Sequence, residues 1–175
     1  EYKVNGDLAD NDGRTPVLLA SQRGHVGVVK VLMGQHVNGD LANTNGSTPL
    51  SVACLKGHIE VVKLLLECNV KGDLPDNDGV TPLHIASEKG NVEMVNLLLE
   101  YKVDRDCRAN NGFTPLLMAC HEGHIEIVKL LIEYKVNGDL ATSIGFTPLY
   151  VASQQGYIVV VKLLIEYKVN GDLQE

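Results

Sequence analysis

The chain has 175 residues, 45% of them hydrophobic and 21% charged, ordinary proportions for a folded globular protein. No apolar run approaches the ~18 residues that a membrane-spanning helix requires, which argues against membrane insertion. The formal net charge of −7 argues against nucleic acid as a partner, because such binding needs a basic face to replace phosphate counterions.

In chain order the first element is incomplete. Residues 1–9, Glu-Tyr-Lys-Val-Asn-Gly-Asp-Leu-Ala, recur at residues 133–141 and read as the tail of a preceding copy. Five full copies follow, at 10–42, 43–75, 76–108, 109–141 and 142–174. Each carries Thr-Pro, at residues 15, 48, 81, 114 and 147, a step of 33 every time. Gly13, Gly46, Gly79, Gly112 and Gly145 precede the threonine by two. Ala20, Ala53, Ala86, Ala119 and Ala152 follow it, and so do Gly24, Gly57, Gly90, Gly123 and Gly156. Self-similarity at one fixed period means a solenoid of stacked supersecondary units, read here as one array over residues 1–175.

Copy three shows what the unit is. Asp76-Asn77-Asp78-Gly79 is a turn with glycine where a positive φ is wanted. Thr81-Pro82 reads as a helix start, threonine at the N-cap and proline at the first helical position. That helix carries Leu83, Ile85 and Ala86 and stops at Gly90. A second helix starts near Asn91 and carries Val92, Met94, Val95 and Leu97 to Leu99. Its polar residues Glu93, Asn96 and Glu100 form one solvent stripe. A short polar link, Val103 to Asn111, leads to the next Thr-Pro. The expectation is all-α: helix-turn-helix units joined by hairpin-like links.

Thr81-Pro82-Leu83-His84-Ile85-Ala86 matches the T-P-L-H-x-A pattern of the ankyrin repeat, a family with this period. Gly24-His25, Gly57-His58 and Gly123-His124, each followed by a Val/Ile-x-x-Val-Lys run, carry the same resemblance over essentially the whole chain. The chain departs from the family pattern where the second helix ends. Lys3, His36, Asn69, Lys102, Lys135 and Lys168 stand where the family has glycine. Either a left-handed residue costing on the order of 1 kcal/mol is accepted there, or the helix end is reshaped. The chain is expected to be part of a longer array, since residues 166–174 stop inside the motif of residues 1–9. In copy five, moreover, Val159 replaces the glutamate of Glu60, Glu93 and Glu126.

Cys54 and Cys120 share a slot with Ser21, Ser87 and Ser153 and read as small packing residues. Cys68 and Cys107 have no C-x-x-C partner, so neither disulfide nor metal is expected, and reduced thiols favour a cytoplasmic setting. His121-Glu122-Gly123-His124 lacks the i, i+4 spacing of a zinc helix. His25, His58 and His124 are copies of one position, expected to cap or pack at the start of the second helix. Tyr2, Tyr101, Tyr134 and Tyr167 form a packing column. No nucleophile–base order and no phosphate loop stands apart from the repeat, so no enzyme activity, cofactor or metal is expected.

The resemblance implies a concave groove lined by the hairpin tips and the exposed face of each first helix. Carried over residue by residue, its partner-binding candidates are Arg14, Arg23, Leu55, Val80, Glu88, Lys89, Phe113, His121, Glu122, Ile144, Phe146, Gln154 and Gln155. Val80, Phe113 and Phe146 fill one slot in three successive copies, an apolar stripe about 20 Å long at the spacing of packed helices. The reading is a protein-interaction module or scaffold for an unidentified protein. Two alternatives stand beside it: a regulatory segment of a larger enzyme, channel or receptor, and a small-molecule binder.

Overall fold

The computed structural model describes residues 5–171, with side chains as far as Tyr167; Tyr2 and Lys3 lie outside that range. Ten helices follow one another: α1 (Pro16–Gln22), α2 (Val26–Gly34), α3 (Pro49–Lys56), α4 (Ile59–Glu67), α5 (Pro82–Glu88), α6 (Val92–Glu100), α7 (Pro115–Glu122), α8 (Ile125–Glu133), α9 (Pro148–Gln155) and α10 (Ile158–Gly171). There is no strand among the described residues. Each expected copy supplies one odd-numbered and one even-numbered helix, so the all-helical repeat solenoid is the observed fold. Packing divides the chain into two compact units, Glu1–Pro82 and Leu83–Glu175. In the first, α1 packs on α2 and α3, α2 on α4, and α3 on α4. In the second, α7 packs on α8 and α9, α6 on α8, and α10 on α8 and α9.

The Thr-Pro pair starts each first helix for the reason read from sequence. Thr15, Thr48, Thr114 and Thr147 are extended N-caps whose Oγ1 accepts the backbone N–H three residues on, from Leu18, Ser51, Leu117 and Tyr150. The proline after each has no N–H to leave unsatisfied in the first turn. Thr48 and Ser51 go further and form a reciprocal capping box, with the Ser51 hydroxyl accepting from the Thr48 N–H at 2.9 Å.

The second helices end as the family pattern does, but without its glycine. His36, Asn69, Lys102 and Lys135 all sit in the left-handed region, with φ of 58°, 60°, 59° and 57°. Hydrogen bonding explains why. The N–H of Asn69 bonds the carbonyl of Leu66 and that of Val70 the carbonyl of Leu65, and Lys135 and Val136 repeat the pair on Ile132 and Leu131. These are Schellman closures, which need a left-handed residue to bring the chain back over its own last carbonyls. The strain is therefore accepted rather than avoided. At Lys168 the backbone instead stays helical, since α10 runs on to Gly171.

The links contain a second device. The carboxylates of Asp7, Asp40 and Asp106 accept the backbone N–H of Asn38, Lys71 and Asn137, at 2.8, 2.9 and 2.8 Å. Each aspartate thus ties its link to the next one along. An Asx turn presets several of them: the Asn5, Asn38, Asp104 and Asn137 side chains accept from the aspartate two residues on.

Cys54 and Cys120 are buried, and burial pushes both thiols up to about 12. They pack as expected of small apolar residues. Ser21 and Ser87 fill the equivalent slot, equally buried, but their hydroxyls find no hydrogen-bond partner. A buried unsatisfied hydroxyl costs roughly 1–3 kcal/mol. Ser21→Cys and Ser87→Cys are accordingly expected to stabilise the fold by about 1 kcal/mol each. An unchanged or lowered urea midpoint in both variants would count against that.

Candidate interaction surface

The tips are built alike. In the first, the Asp10 carboxylate accepts the backbone N–H groups of Asp12 and Arg14 at 3.0 and 2.9 Å. The Asn43, Asp76 and Asn111 side chains also cap their own tips. Successive tips are joined by single backbone bonds. In the first unit Thr44 donates to the Asp12 carbonyl and Asn77 to that of Asn45; in the second, Ser143 donates to that of Asn111. The Ser143 hydroxyl adds a bond to the same Asn111 carbonyl at 2.9 Å. Side chains projecting from these tips are therefore held on a hydrogen-bonded edge.

In the first unit the candidates are scattered. Arg14 is occupied at its own tip: Nη2 lies 2.8 Å from Asp10 Oδ2 and 2.9 Å from Asp12 Oδ2. Asp10 is held below the usual carboxylate range, first by the Arg14 backbone N–H and then by the Arg14 side chain. Arg23 and Leu55 are exposed, and Val80 is half-buried with its N–H on Asp76.

In the second unit several candidates contact one another within a single copy. Glu88 and Lys89 pair with each other at 3.0 Å. Phe113 is half-buried and meets His121 edge-on, ring centroids 6.3 Å apart, while His121 Nδ1 lies 2.8 Å from Glu122 Oε1. Phe146 is half-buried and stacked on Tyr150, centroids 4.4 Å apart and planes 22° from parallel. Ile144 at the tip is 73% exposed, and Gln154 and Gln155 are open to solvent. Both phenylalanines thus rest on a ring from their own first helix and offer one side rather than standing free. Phe113 is anchored from behind as well. Its carbonyl accepts from Nε2 of the fully buried His84 at 3.0 Å, and His84 Nδ1 lies 3.6 Å from the Cys107 sulfur. Val80 belongs to the other unit, and Phe113 and Phe146 each make their ring contact within their own copy.

Tyr150 is the residue that sequence reasoning missed. Its slot holds Leu18, Ser51, His84 and Leu117 in the other copies, all buried, and the break in that series was a visible signal. The recurring histidines do not cap, for His58 and His124 make no side-chain cap bond. They reach back a whole copy instead: His58 Nε2 donates to the Gln22 carbonyl and His124 Nε2 to that of Glu88, at 3.2 and 2.9 Å. Of the tyrosine column, the Tyr167 hydroxyl donates to the Val136 carbonyl at 2.8 Å, whereas Tyr101 is exposed. A concavity of about 640 Å³ lies between the α6 end and Tyr134, and none of the candidates lines it. Among the described residues no group of His, Cys, Asp and Glu could hold a metal ion, and no helix is long and apolar enough to cross a membrane.

A family model of ankyrin repeats, three copies long, fits residues 28–107 and again residues 101–175. No curated protein matches the chain.

Proposed function

Because the chain belongs to the ankyrin-repeat family, whose repeats are generally modules of protein–protein interaction, we propose that it binds a protein partner through the tips and first helices of copies four and five. One observation carries this reading: the Phe146–Tyr150 stack, with Ile144 exposed beside it and Gln154 and Gln155 open to solvent on the same copy. Aromatic anchors surrounded by polar groups are the composition of interaction hot spots. Phe113, with His121 and Glu122, extends the surface into copy four. Arg14, Arg23, Leu55, Val80, Glu88 and Lys89 serve at most as outlying contacts. The role is that of a binding module or scaffold, with no catalytic step assigned. Four free cysteines fit an intracellular setting.

The test is quantitative capture from native lysate with the parent chain and with Phe113→Ala, Phe146→Ala and Tyr150→Ala, the recovered partner then being titrated against each. A hot spot loses about 2 kcal/mol or more, roughly 30-fold in Kd, with little change in melting temperature. Equal binding by all three variants would move the site elsewhere.

A further inference from the structure

We infer that Cys107 is a site of covalent thiol modification, with His84 as its base and a small disulfide as the reagent it takes up. Two departures from the repeat meet here. The slot of Cys107 holds Leu8, Leu41, Leu74, Leu140 and Leu173 in the other links. The slot of His84 holds Leu18, Ser51, Leu117 and Tyr150 in the other first helices. Copy three alone has a thiol at the one and an imidazole at the other, and the two meet: Sγ lies 3.6 Å from Nδ1.

The geometry fixes which nitrogen faces the thiol as an acceptor. Nε2 lies 3.0 Å from the Phe113 carbonyl, an oxygen that can only accept, so Nε2 carries the hydrogen. In the neutral ring Nδ1 is then the acceptor, and the Cys107 S–H donates to it. His84 is fully buried, so packing and the Phe113 bond together hold the ring in this orientation. A thiol with a base positioned at its proton is an activated nucleophile. Cys107 itself is only half-buried, which leaves its sulfur open to a small reagent. Arg105 and Arg108 flank it in the chain, while the Asp104 and Asp106 carboxylates accept the backbone N–H groups of Asp106 and Asn137. Guanidinium groups there suit a reagent that carries carboxylates of its own.

The step exchanges one sulfur–sulfur bond for another. The Cys107 proton passes to Nδ1 as Sγ attacks one sulfur of the disulfide RS–SR. The Cys107–SR bond forms, the S–S bond of the reagent breaks, and the leaving thiolate takes the proton from Nδ1 as RSH. Cys107 is oxidised, the departing sulfur is reduced, and His84 ends as it began. The adduct persists because the other cysteine of this unit is no resolving thiol. Cys120 is buried, and burial pushes its thiol up to about 12.

Peptide mapping by mass spectrometry tests this on the whole folded chain, pulsed with limiting oxidised glutathione and, separately, with iodoacetamide. Exposure alone would have Cys68 react first, since Cys68 is exposed and Cys107 half-buried. The expectation is the reverse. Cys107 should label about 10-fold faster, because an ordinary thiol is only slightly ionised at neutral pH. His84→Leu installs the residue that Leu18 and Leu117 supply in other copies, and the Phe113 carbonyl keeps its bond from the Ala109 N–H at 2.9 Å. That variant is expected to bring Cys107 down to the rate of Cys68 or below with both reagents. Cys68 labelled ahead of Cys107 in the parent would overturn the inference and needs no variant to observe. So would a Cys107 rate in His84→Leu equal to or above the parent's, which would make access rather than a base the controlling factor. Rapid alkylation without a glutathione adduct would overturn the disulfide as the reagent. No partner enters either readout, so the result stands apart from the partner-binding test.

Discussion

Glycine at His36, Asn69, Lys102 and Lys135 is expected to make the protein markedly more stable. All four residues hold φ between 57° and 60°, a region that costs an L-residue roughly 1–2 kcal/mol and glycine almost nothing. Part of that gain is returned, because glycine has more unfolded-chain entropy to lose, about 0.5–1 kcal/mol. The net is roughly 0.5–1 kcal/mol for each lysine and less for Asn69 and His36, whose side chains tolerate the region better. The four sites are one copy apart and should add, for roughly 2–3 kcal/mol in the fourfold variant. Urea denaturation reads this directly as a raised midpoint at unchanged slope. A midpoint that falls would mean that these side chains make contacts worth more than the strain.

Alanine at Gly123 and at Gly156 should give sharply different penalties although the two backbones are nearly the same. Both are αL C-caps, with φ of 73° and 76°. A Cβ at Gly123 would lie 2.8 Å from the Tyr157 ring, while at Gly156 it meets nothing within 4 Å. Gly156→Ala therefore carries backbone strain alone, about 1 kcal/mol. Gly123→Ala adds a ring that must move within a packed joint, a further 1–3 kcal/mol or so. Two equal losses in urea unfolding would show that the ring shifts freely and that the joint of copies four and five is loose.

Much of the candidate surface was legible before any coordinates, because the repeat marks which positions vary while the framework stays constant. Phe113 and Phe146 stood out as aromatics in a slot that holds Arg14 and Ser47 in the first copies. What could not be read was their support. The edge-on contact with His121 and the stack on Tyr150 depend on how a tip folds back over the first helix of its own copy. No spacing rule encodes that distance. The link aspartates are the opposite case. Asp7, Asp40 and Asp106 stand at whole multiples of the 33-residue step, yet their role appears only when the N–H groups of the next link are placed beside them.

The period, the Thr-Pro helix starts and the glycine stops were determined by sequence alone, because each rests on chemistry within one or two turns of chain: a side-chain cap, a ring without an N–H, a residue without a Cβ. The ends of the second helices were not. The same lysine position is left-handed at Lys102 and Lys135 and helical at Lys168. Local preference favours the helical form at all three, since no glycine is present to relieve the strain. At Lys135 the turn is repaid by its Schellman bonds and by the link beyond it, which Asp106 holds from the preceding copy. At Lys168 the helix simply continues to Gly171. The bond from Asp106 comes from another copy, so tertiary structure helps decide the turn at Lys135.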